Sequence, residues 1–222
     1  MNRLLLVLLL LPTGCVSVNV ASSPVLAEEA LINALRAGGY NIYFRHAQTD
    51  WSQSDHIERA GDWTSCDSSR VRQLSDTGRR TARAVGEHIR VLRIPVGKVL
   101  ASPYCRTVET AQLMNLGVVE TTTDIMNLRV AEYFGGRDAI LERARSRLAM
   151  PPPPGTNIAL IAHGNVARGA TDVYPDEAEA VVFHAHGDGS FSFVGRLSPA
   201  QWAALAQRQN WEKRISNGYQ QR

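Results

Sequence analysis

Two arginines and two histidines stand where short apolar runs end. Arg45-His46 closes the run Tyr40 to Phe44, Arg106 follows Val99-Leu100-Ala101 by a few residues, and His163 closes Ile158 to Ala162. The last run is continuously apolar, as a strand buried on both faces is, and the first is apolar with aromatics. Strands alternating with helices build a layered α/β fold in which the carboxyl ends of parallel strands share one edge, where ligands bind. Four such side chains gathered at that edge make a cationic pocket. A guanidinium fork matches the oxygens of a tetrahedral dianion, and nearby helix N-termini add N–H donors and partial positive charge. The chemistry suggested is the binding of a phosphate group.

The elements needed to position these groups are legible. Leu31, Ile32 and Leu35 share one face of a helix over Glu28 to Ala37, which Gly38-Gly39 stops. Ser75 caps a second helix, whose Ala82, Val85, Ile89 and Leu92 recur at helical spacing until Pro95 and Gly97 break it. Ser102-Pro103 has the form of a helix opening, serine as cap and proline first. A further helix is predicted from Arg137 to Ala149, and Pro151 to Pro154 is a stiff spacer. Gly187-Asp188-Gly189 between Ala180 to Phe183 and Phe191 to Val194 signals a hairpin. Ser198-Pro199 with Gln201 starts the last helix. Residues 47–73 lack a period and read as a long functional loop. The expected architecture is one α/β domain, a three-layer sandwich with a mostly parallel central sheet flanked by helices.

Composition narrows the function classes. The 222 residues carry a formal charge of +3, with 44% hydrophobic and 20% charged residues. That excludes collagen, disulfide mini-proteins and wholesale disorder, and the charge is too slight to argue for a nucleic-acid partner. Asn2-Arg3 followed by the apolar run Leu4 to Leu11 reads as a signal peptide, too short to span a membrane. Residues 1–27 are therefore taken as a leader and 28–222 as the domain. Val25-Leu26-Ala27 has a cleavage-site pattern, whereas Leu11-Pro12-Thr13-Gly14-Cys15 resembles a degenerate lipobox with a lipid anchor at Cys15. The expected location is periplasmic or anchored to the cell envelope. After export Cys66 and Cys105 either pair or stand as separate thiols.

Three motifs carry a resemblance. Arg45-His46-Ala47-Gln48-Thr49, then Ser102-Pro103-Tyr104-Cys105-Arg106-Thr107-Val108-Glu109-Thr110-Ala111, then Ala162-His163-Gly164 resemble the histidine phosphatase superfamily, with its phosphoglycerate-mutase-like fold. Leu74-Ser75-Asp76-Thr77-Gly78 with Ala82 and Gly86 resembles it too. The likeness covers about residues 31–196. It implies that His46 attacks phosphorus and becomes a phosphohistidine. It also implies that Arg45 and Arg106 hold the equatorial oxygens, that His163 is the second pocket histidine, and that neither metal nor other cofactor is required.

Two positions depart from the pattern. Ala47 stands where glycine is usual, so an ordinary backbone is expected there, and Ser52 replaces an asparagine of the mutase-type members. For the proton donor the resemblance offers Glu132, in Ala131-Glu132-Tyr133-Phe134-Gly135-Gly136, or Glu179, just before a strand. Glu179 is preferred because a strand end places a side chain firmly; Asp176 and Glu177 read as solvated surface groups. A Cys66–Cys105 bridge would pin the loop after His46 to the phosphate pocket. Trp51 and Trp63 either line the mouth or fold the loop against the body. His184 and His186 read as an exposed hairpin end, and Asn165 either shapes the pocket or caps the segment after His163. The resulting expectation is an exported, metal-independent phosphomonoester hydrolase acting on a small phosphorylated substrate. Its entrance should be formed by residues 47–73 and 112–136. A phospho-ligand binding module without turnover is the alternative, and a mutase the third.

Overall fold

The computed structural model describes residues 25–219. The apolar leader and Cys15 lie outside the described residues, as does all of residues 1–27 except the last three. No helix among the described residues is long and apolar enough to cross a membrane. Among the described residues six strands form one mixed sheet: β1 (Tyr40–Arg45), β2 (Val96–Ala101), β3 (Val119–Thr121), β4 (Asn157–Ala162), β5 (Ala180–Ala185) and β6 (Phe191–Leu197), in the order β3-β2-β4-β1-β5-β6. The pairs β3·β2, β2·β4 and β4·β1 are parallel, while β1·β5 and β5·β6 are antiparallel.

Helices cover both faces: α1 (Glu28–Ala37), α2 (Asp76–Val91), α3 (Cys105–Met114), α4 (Arg137–Leu148), α5 (Gly164–Thr171) and α6 (Pro199–Tyr219). The two cores follow from the period-2 alternation of the strands. Ile42 and Phe44 face a core completed by Leu31, Val85, Ile89 and Trp202, whereas Tyr43 faces one completed by Leu160, Val166, Ile140 and Phe183. All six residues of β4 are buried, as a central parallel strand requires.

Local signals explain most boundaries. The Ser75 hydroxyl accepts from the Gly78 N–H, capping α2. Gly78 itself is dictated by packing, since a Cβ there would lie 2.0 Å from the Gln48 carbonyl oxygen. That contact seats the start of α2 against the chain just after His46.

Two expectations are corrected. The helix after β2 begins at Cys105, with Tyr104 as its uncapped N-terminal flank. Ser102 is still held to the sheet by an N–H to Ile161 O bond of 3.0 Å, and its hydroxyl lies 3.0 Å from His163 Nε2, away from the helix end. Gly97 does not end a helix; it lies in β2 where the pairing with β4 shifts register. The edge strand β3 and helix α5 were not anticipated. β3 has three residues, and α5 contains two glycines, so neither has a strong local signal.

Candidate active site

Arg45, His46, Arg106 and His163 line one cavity, together with Trp51, Arg72, Asn127, Gly164, Asn165 and Tyr174. β1 delivers the first pair and β4 delivers His163, and because the two strands are parallel neighbours (Arg45 opposite Ala162) the histidines emerge side by side. Their ring centroids are 5.6 Å apart. Arg106 comes from the first turn of α3, and α5 begins at the cavity with His163 as its N-cap.

His46 is buried, and its Nδ1 lies 2.9 Å from the Ala47 carbonyl oxygen. A carbonyl only accepts, so Nδ1 carries the proton and Nε2 keeps its lone pair. Burial, reinforced by the Arg106 cation, pulls the His46 pKa down to about 3, so the ring is neutral at physiological pH. The backbone of Ala47 is held by its own N–H to the Thr110 hydroxyl (3.1 Å), and that hydroxyl donates to Arg106 O (2.7 Å). Ala47 has no left-handed backbone, as expected for alanine.

His163 is fixed from two sides. Its Nε2 is 3.0 Å from the Ser102 hydroxyl, and the buried Tyr43 hydroxyl donates to its carbonyl (2.8 Å) while accepting from its N–H (3.1 Å). Its Nδ1 is buried without a partner. Burial and then the Arg106 cation hold this imidazole well below the usual histidine pKa. Ser102 and Tyr43 were missed by sequence reasoning; serine at a strand end in the Ser-Pro motif was the available signal.

Asp55 and Arg72, both from the long loop, were also missed. Asp55 meets Arg106 fork to fork, at 2.9 Å to Nη1 and 3.1 Å to Nη2, with both side chains almost fully buried. The Arg72 N–H also donates to this carboxylate (3.1 Å), and Arg106 Nη1 reaches Arg72 O (3.2 Å). Asp55 thus occupies the end of the guanidinium and leaves Nε of Arg106 as a buried donor without a partner; Nε of Arg72 is likewise unpartnered. Buried donors are normally satisfied, so these two suit an oxyanion. The Arg72 guanidinium lies 4.0 Å over the Trp51 ring. Trp51 therefore forms the mouth, whereas Trp63 packs on Tyr133 and Phe134 and folds the loop onto the body.

The expected proton donors are elsewhere. Glu179 is buried, but its carboxylate accepts from the Asp176 N–H (2.8 Å) and faces Arg196 of β6 at 3.6 Å, and it does not line the cavity. Glu132 is exposed on a 3-10 turn, and Ser52 is exposed and bonds to Asp50. Glu177, expected at the surface, instead accepts from the Thr49 hydroxyl (3.1 Å) and lies 3.6 Å from Arg45. Asn165 shapes the cavity through a 2.8 Å bond to Asn127.

Cys66 and Cys105 are joined, closing a sequence separation of 39 residues next to Arg106. A loop of that size is worth about 4 kcal/mol of chain entropy. Cys66→Ser should lower stability toward that amount in urea unfolding and weaken binding of inorganic phosphate, because Asp55 and Arg72 sit on the tethered loop. An unchanged midpoint and phosphate affinity would contradict this.

The sequence model of the histidine phosphatase superfamily (branch 1) matches residues 42–149. Agropine synthesis reductase of Rhizobium rhizogenes is 25% identical over 145 residues, which are 57% of this chain and 33% of that protein. The match thus spans about a third of the curated relative's length. A structure described as a proposed alpha-ribazole-5′-P phosphatase from Escherichia coli superposes with a TM-score of 0.50 at 15% identity, covering 72% of this chain and 97% of that one. The protein histidine phosphatase SixA complexed with tungstate gives 0.47 at 16% identity, covering 72% and 97%.

Proposed function

This chain belongs to the histidine phosphatase superfamily, and from that premise we propose that it is a metal-independent phosphomonoester hydrolase acting through a phosphohistidine on His46. The observation that carries the reading is the buried neutral imidazole, proton fixed on Nδ1, set among three arginines. In the first step the Nε2 lone pair attacks phosphorus and the ester P–O bond breaks. The leaving oxygen takes a proton from solvent, because no carboxyl group is among the described residues lining the His46 cavity. In the second step water attacks the phosphohistidine, the P–N bond breaks, and inorganic phosphate leaves. Arg45, Arg72 and Arg106 stabilise the equatorial oxygens, where charge sits in the transition state.

Turnover should be steepest for esters with good leaving groups, since the reaction does not draw on a positioned acid. The test is release of phosphate from an aryl phosphate across roughly pH 4–8, with vanadate as inhibitor. Turnover no greater than that of His46→Ala would defeat the proposal. Phosphate binding in calorimetry without turnover would favour the binding-module alternative.

Export is part of the same proposal. The leader read in residues 1–27 and the Cys66–Cys105 bridge both support an oxidising compartment, periplasmic or envelope-anchored through Cys15.

The depressed histidine pKa makes a pH prediction. Below about pH 6.5 the unfolded chain takes up protons that folded His46 refuses until about pH 3. Stability is therefore full above the unfolded value and falls as the pH drops through that window. Thermal melting should shift down from neutral pH to about pH 4, and inorganic phosphate should reverse part of the shift. A melting temperature independent of pH would contradict the assignment of a buried neutral imidazole.

A further inference from the structure

The cavity around His46 opens into a larger one. The first is about 120 Å³ and the second about 460 Å³, and they share Trp51, Arg72, Arg106, Asn127 and Asn165. The larger cavity adds Arg129, from the 3-10 turn Leu128–Phe134, and Arg137, the first residue of α4. Four guanidinium groups thus line a space that holds a single carboxylate, Asp55. That carboxylate is already engaged by both Nη atoms of Arg106 and by the Arg72 N–H, and its Oδ2 pairs more loosely with the exposed Arg129 at 3.6 Å. Asp55 balances one of the four positive charges, and because Arg72 and Arg106 also face the scissile phosphate, Arg129 and Arg137 are the cations the larger cavity adds for a second group.

The cavity also carries unspent hydrogen-bonding capacity. Nε of Arg72 is a buried donor without a partner. One rim is the exposed indole of Trp51, stacked under the Arg72 guanidinium. An aromatic wall between two basic spaces suits a short carbon skeleton with an anion at each end.

We propose that the larger cavity is a second anion subsite, which takes a phosphate or carboxylate borne by the same molecule as the scissile phosphate. The preferred substrates are then doubly anionic esters, such as bisphosphates or phosphorylated acids. Arg129 and Arg137 grip the distal group as planar forks, while Trp51 supports the skeleton between. This rests on the phosphatase reading for the word substrate, but the subsite itself is testable by binding alone.

Calorimetry on the full chain, at fixed low salt, compares methylenebisphosphonate with methylphosphonate, neither of which can be hydrolysed. The bisphosphonate is expected to bind at least roughly 10-fold more tightly, and the pair Arg129→Ala with Arg137→Ala should bring that ratio close to unity. Should the alanine pair lose its fold in circular dichroism, Arg129→Gln with Arg137→Gln serves the same comparison. Equal affinities in the parent protein, or a ratio that survives the double substitution, overturn the subsite. Loss of the ratio alongside intact aryl phosphate hydrolysis supports it. A retained preference in a protein that hydrolyses no ester would leave the subsite standing and remove the hydrolase.

Discussion

His46→Ala should lower turnover of an aryl phosphate by about 10⁴-fold or more, the scale on which single nucleophile deletions act. The size follows from the two-step route, because without a nitrogen to accept the phosphoryl group the reaction falls back on direct attack by water. The surrounding guanidinium groups remain and still bind the dianion. The expected pattern is therefore loss of kcat with phosphate affinity largely kept. Folding should be retained, since a small side chain replaces a ring that, among the described residues, is hydrogen-bonded just to the carbonyl of the next residue. A variant that keeps a tenth of parent turnover would mean that His46 binds rather than attacks.

Arg106→Ala should damage both activity and stability, for separable reasons. Activity falls by about 10²–10³, the usual cost of removing one donor to transition-state charge. Stability falls by about 3–5 kcal/mol, because Asp55 is left buried without its partner. The two effects part company in the double variant. Asp55→Asn in the Arg106→Ala background should recover most of the stability, as measured by urea unfolding, and none of the turnover. Additive losses would show that the bidentate pair is not the coupling structure. Asp55→Asn alone leaves the buried Arg106 cation without its counter-charge, so it too should lower stability, by about 3–5 kcal/mol.

The positions of Arg45, His46 and His163 were legible because each terminates an apolar run, and a parallel sheet turns that sequence feature into a common edge. Asp55 and Arg72 were not, for a definite reason. They belong to a loop whose path is set by the Cys66–Cys105 bridge, by the bonds of Asp55 to Arg106 and by Trp63 packed on Phe134. None of these contacts leaves a period in the sequence. The proton-donor expectation met a related obstacle. Glu179 does precede a strand, as read, and because that strand runs antiparallel to β1 its start lies beside Arg45, but the Asp176 N–H and Arg196 take up its carboxylate. Serine at position 102 illustrates the reverse: its Ser-Pro signal was real, yet tertiary pairing with Ile161 and His163 recruited it to the site instead of to a helix end.

The central claim is that His46 carries the phosphoryl group in turnover. The most direct measurement mixes excess enzyme with an aryl phosphate, quenches within the first turnover into alkali to preserve the P–N bond, and maps the adduct by mass spectrometry. The account predicts a single acid-labile phosphoryl group on the peptide containing His46, absent from His46→Ala and suppressed by vanadate. Rapid phosphate release with no adduct at any quench time, or an adduct on His163, would contradict it.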